Sequence, residues 1–90
     1  MQSIWKYALS TPWDLKFKIP KGGIVRHVDE QRNKICIWVE VEPENKLENR
    51  EFHIVGTGHN FPKGIGGLEY LGTCKLDDGA YVFHVYEVKS

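Results

Sequence analysis

Apolar side chains in this chain recur with a period of two, and no window of eleven or more residues repeats with the period of a helix. Trp13–Ile19 shows the pattern most cleanly: Trp13, Leu15, Phe17 and Ile19 fall on one face, Asp14, Lys16 and Lys18 on the other. A segment that alternates in this way buries one side and wets the other as a β-strand. In Lys34–Val41, Ile35, Ile37, Val39 and Val41 share a face, with Cys36, Trp38 and Glu40 behind them. Ile4–Leu9, Ile24–Asp29 and Arg50–Val55 read as further strands. Ser10-Thr11-Pro12, Pro20-Lys21-Gly22-Gly23, Glu30–Asn33 and the Pro43-containing run Glu42–Asn49 separate them as turns and loops. Six or seven short strands in 90 residues predict an all-β fold: a small antiparallel β-sandwich or barrel, occupying residues 1–90 as a single domain.

The last hairpin is predicted in register. Asp78-Gly79 suits a two-residue type I′ turn, because both central positions need positive φ. That turn sets Leu76 opposite Tyr81, Cys74 opposite Phe83, Gly72 opposite Val85 and Tyr70 opposite Glu87. One face, from Tyr70 through Gly72, Cys74, Leu76, Tyr81 and Phe83 to Val85, then reads as core. The other, with Leu71, Thr73, Lys75, Val82, His84 and Tyr86, mixes polar and aromatic groups as a binding surface does. A three-residue Asp77–Gly79 turn is the alternative; it would align Cys74 with Val82 and sort the side chains less well.

Charge narrows the class of partner. Lys+Arg and Asp+Glu are equal at 12 each, so no dominant basic surface marks a binder of duplex nucleic acid or of an anionic membrane. No stretch approaches the roughly 20 apolar residues of a membrane span, and the N-terminus lacks a signal-like apolar run. A soluble, cytosolic protein is expected. Cys36 and Cys74, without CxxC spacing, read as reduced and packed in that compartment. Three tryptophans, four tyrosines and four phenylalanines are a heavy load for so small a core. Some are expected on the surface, where apolar patches favour self-association into a homo-oligomer. Trp5, Tyr7 and Trp13 are the expected core or interface members.

Gly56-Thr57-Gly58-His59-Asn60 interrupts the alternation and opens a glycine-rich segment, Gly56–Gly67, that holds five glycines and Pro62. Paired glycines let the backbone turn with positive φ, and such a turn can direct several N–H groups at one anion. The segment is not a P-loop, since no Gly-Lys-Ser/Thr follows and no helix is expected there. A tight turn with positive φ at both glycines is the plainer interpretation; a ligand-holding loop assisted by Thr57 and His59 is the functional one. Arg26, Arg50, Thr73 and Lys75 are candidate phosphate contacts, with His84 beside them and Tyr86, Trp38 or Phe61 available to stack on a base. His27, His53, His59 and His84 match no compact metal-ligand spacing, so no metal or other cofactor is expected. No nucleophile elbow is present, the serines lie at the margins, and no catalytic residues are assigned.

Several motifs occur in a definite order: Ile4-Trp5-Lys6-Tyr7, Ile19-Pro20-Lys21-Gly22, Ile37-Trp38-Val39, then Phe52-His53-Ile54-Val55-Gly56-Thr57-Gly58-His59. Tyr70-Leu71-Gly72-Thr73 and Val82-Phe83-His84-Val85-Tyr86-Glu87 follow. This succession resembles a family of short proteins encoded by tailed bacteriophages and prophages, over nearly the whole chain, with Gly23 where alanine is common. The resemblance implies a setting, the cytoplasm of a host bacterium, and carries no catalytic residues with it. Within that setting the expected function is non-enzymatic: an oligomer that binds a small anionic, nucleotide-like signal of host defence and sequesters it. A protein-interaction module that inhibits a host protein or fits into the phage particle is the alternative. A metal-dependent enzyme using His53, His59 and His84 is a third.

Overall fold

The alternating segments become seven strands in a computed structural model that describes residues 1–9, 15–64 and 66–89. They are β1 (Ser3–Leu9), β2 (Leu15–Pro20), β3 (Ile24–Gln31), β4 (Lys34–Val41), β5 (Leu47–Gly56), β6 (Gly67–Leu76) and β7 (Tyr81–Lys89). Two antiparallel sheets, ordered β1-β4-β3 and β2-β5-β7-β6, form a sandwich. Among the described residues no helix is long and apolar enough to cross a membrane.

The core is the set of inward faces that the alternation picks out. Ile35, Ile37, Val39 and Val41 of β4 meet Leu15 and Ile19 of β2, Phe52 and Ile54 of β5, Cys74 of β6 and Val85 of β7. Tyr7 and Phe17 join the two sheets through an edge-to-face contact with ring centroids 5.5 Å apart. Both cysteines are free thiols and buried. The sheets come closest together along β3 and β6, where Gly72 makes room. A Cβ on Gly72 would stand 2.9 Å from the Cβ of Val28, a branched side chain that cannot rotate out of the way.

The last turn forms as expected. Asp78 (φ 53°, ψ 33°) and Gly79 (φ 89°) occupy the two central positions of a type I′ turn, closed by the Ala80 N–H donating to the Asp77 carbonyl at 3.0 Å. Its pairing holds through Gly72↔Val85 and then shifts, because a β-bulge at Leu71 brings Tyr70 opposite Tyr86 instead of Glu87. Tyr70 therefore leaves the inward face and is 54% exposed, while Leu71 packs on the core. Tyr81 keeps its expected face but lies at the open end of the sandwich, exposed and stacked on Phe83. Glu42–Asn49 is not loop throughout. β5 begins at Leu47, since the ladder to β2 continues to Pro20↔Leu47 and edge pairing accepts polar side chains. Trp13 and the Ser10–Pro12 break lie outside the described residues.

Candidate functional site

Since β5 and β6 both run antiparallel to β7, they are parallel to each other with β7 between them. Gly56 ends β5 level with Phe83, and Gly67 starts β6 level with Lys89 at the opposite end of β7. The glycine-rich segment must therefore return the length of the sheet. It does so across the outer face: Phe61 meets the ring of Tyr86 edge-on, centroids 5.3 Å apart, in the middle of β7. The segment is a strap over the four-stranded sheet.

The strap begins with a turn of type II pattern. The His59 N–H donates to the Gly56 carbonyl at 2.9 Å, and Gly58 holds φ +87° at the third position. Gly56 is not in the left-handed region, contrary to the expectation of positive φ at both glycines. It is glycine for space, because a Cβ there would lie 2.8 Å from Nδ1 of the overlying His59 ring. Two amides of the bend are used internally, since the Thr57 N–H donates to the Val82 carbonyl at 3.0 Å. Among the described residues the Gly58 and Asn60 N–H groups have no such partner, so the anion-directed cradle is narrower than the glycine pair suggests.

Beneath the strap lies a cleft of about 310 Å³ lined by His53, Val55, Gly56, His59, Asn60 and Pro62. His53 sits on the outer face of β5 opposite Tyr86 and is only 8% exposed; its Nδ1 is sealed without a hydrogen-bond partner. Alternation alone places His53 on the wet face. The covering strap is what buries it.

On the far side of the strap a polar chain crosses three segments. Thr57 Oγ1 lies 2.8 Å from His84 Nε2, and His84 Nδ1 lies 3.0 Å from Thr73 Oγ1, which in turn bonds the Tyr70 hydroxyl. The Thr57 hydroxyl also lies 3.3 Å from the Val82 carbonyl. In the Nε2–H tautomer of His84, Thr57 accepts from the ring and donates to that carbonyl while Nδ1 accepts from Thr73; in the Nδ1–H tautomer, Thr57 donates to Nε2 and Thr73 accepts from Nδ1. Tyr70 also stands edge-on to Tyr86 at 5.5 Å, which makes Phe61, Tyr86 and Tyr70 an aromatic row beside the polar chain.

The structure thus brings together the Gly56–Asn60 bend, Thr73, His84 and Tyr86. Lys75 stands on the same face, one outward position along β6 from Thr73, and also borders a hollow of about 620 Å³ with Glu30, Asn33 and Asp77. Arg50 is not at this face. It points inward, donating through Nε and Nη2 to Glu87 and through Nη1 to the Gly23 carbonyl at 2.8 Å. The Glu87 bond and its charge raise the guanidinium pKa further above its already high value. The parity of Arg50 with Phe52 and Ile54, and of Glu87 with Val85, is the sequence signal for this pair. Arg26 lies on the other sheet, at the bulge between Val25 and His27, and pairs with Glu40 at 3.1 Å. Of the stacking candidates, Phe61 and Tyr86 meet at this face while Trp38 lies on β4 of the other sheet; Tyr70 and His53 join the site in addition. Among the described residues no three His, Cys, Asp or Glu side chains converge as metal ligands.

A family model described as a domain of unknown function (DUF7352) matches residues 1–90. No curated protein and no solved structure matches the chain significantly.

Proposed function

The chain belongs to this family of unknown function, and we propose that it works by binding a nucleotide-like ligand on the strapped face of its four-stranded sheet. The observation that carries the reading is the convergence of the aromatic row Phe61–Tyr86–Tyr70 with the Thr57–His84–Thr73 chain beside the glycine bend. Aromatic rings offer a base a stacking surface, and hydroxyls, ring nitrogens and free amides offer polar contacts to sugar and phosphate. Lys75 supplies the one cation of the original candidate set on this face. The ligand is anionic and small, and in an infected bacterium its class is a nucleotide-derived signal of host defence. Sequestration of such a signal needs affinity and no bond-making groups.

Calorimetric titration with cyclic oligonucleotides and ADP-ribose derivatives tests the reading. Saturable heat that is lost in Tyr86→Ala and weakened in Lys75→Ala supports it, and silence across the panel refutes it. A second reading, a protein-interaction module, is favoured by Phe61 and Tyr70 each remaining 54% exposed on one face. A stable complex with a host protein, formed without any nucleotide affinity, would replace the first reading with the second.

A further inference from the structure

The outermost strands of the two sheets are guarded unequally. β2 edges the four-stranded sheet with Lys16 and Lys18 exposed and ends at Pro20, and such charges and a proline deter pairing with another chain. β3 and β6 turn their outer edges toward one another at the close approach of Val28 to Gly72. β1 has neither protection. Among the described residues it pairs only with β4, its one charged side chain is Lys6, and Ile4 and Trp5 remain 53% and 37% exposed. Even that charge is drawn away, since Lys6 Nζ reaches across the sheet to Gln31 Oε1.

We infer that β1 pairs antiparallel with β1 of a second copy about a two-fold axis at Trp5, joining two three-stranded sheets into one of six strands. A self-pairing that keeps like faces together must place one residue on the axis. An axis at Lys6 sets two ammonium groups directly opposite, which is unfavourable. An axis at Ile4 shortens the ladder and leaves Trp5 facing Ser3. An axis at Trp5 sets the two indoles against each other and each Lys6 against Ile4 of the partner subunit. No like charges then meet, and the largest exposed apolar group of the edge is covered. A second copy satisfies this edge because the strand is its own complement in that register.

Sedimentation velocity on the whole chain tests the inference, with dimerisation expected at roughly tens of micromolar. The Trp5 register makes position 4 diagnostic, and Ile4 is exposed enough to change without disturbing the core. Ile4→Lys places two added cations beside the two Lys6 groups and is expected to raise the dimer dissociation constant about tenfold. Ile4→Glu places carboxylates there and is expected to keep or tighten the dimer. A monomer at every concentration overturns the inference, as does a dimer that both substitutions weaken alike or neither affects. The ligand reading does not enter: a monomer that still binds nucleotide would defeat this inference alone.

Discussion

Arg50 and Glu87 place two opposite charges inside the sandwich, with side chains 13% and 4% exposed. Their fork of hydrogen bonds, completed by the Gly23 carbonyl, offsets the cost of taking both out of water. Removing Glu87 leaves the guanidinium with the Gly23 carbonyl and with Glu48, 3.6 Å away and more exposed. Glu87→Gln is therefore expected to lower unfolding free energy by about 1.5–3 kcal/mol, the loss of charged hydrogen bonds, read from urea denaturation. Cys74 contributes an alkaline pH dependence, as does Tyr7, whose phenol is also raised by burial. Burial, aided by the carboxylates of Asp29 and Glu30, pushes the Cys74 thiol from near 9 up to about 11. Between those values the unfolded chain has lost the proton and the folded chain has kept it, so stability falls as pH rises from about 9 to about 11. The urea midpoint should decline across that window in the natural chain and decline less steeply in Cys74→Ala.

Two glycines serve their elements for different reasons, and substitution separates them. Gly58 needs φ +87° in open space, so Gly58→Ala incurs only backbone strain, on the order of 1 kcal/mol. Gly72 has ordinary φ but no room beside Val28, so Gly72→Ala must push β3 from β6 and is expected to lose about 1–3 kcal/mol. Thermal melts of the two variants check the contrast, and adding Val28→Ala should recover stability only beside Gly72→Ala. Strand alternation and the type I′ turn were legible because each is local: faces follow from parity, and the turn from Asp78-Gly79. The bulge at Leu71 was not, since Gly72 inside a strand suits a bulge or a close approach alike, and only pairing with β7 fixes where the extra residue falls. The path of the strap, and with it the burial of His53, follows from strand order in the sheet, which local pattern does not encode.

For the molecule as a whole, the sandwich separates its enclosed ion pair from its candidate surface. The ion pair of Arg50 holds the interior, the unguarded β1 edge borders one sheet, and the strap with its aromatic and polar rows covers the other. Most of the candidate site, the bend with Phe61, Thr73, Lys75, His84 and Tyr86, was readable as residues, because outward parity and glycine spacing are sequence properties. Their convergence was not, because it depends on a ten-residue connection crossing over β7. The most direct test is a ¹H–¹⁵N spectrum of the labelled protein, titrated with cyclic oligonucleotides and ADP-ribose derivatives. Binding on the strapped face predicts saturable shifts at Thr57, His59, Phe61, Tyr70, Thr73, His84 and Tyr86, with Arg26 unmoved. No shifts with any of these nucleotides, or shifts confined to the sheet that carries Arg26, would contradict it.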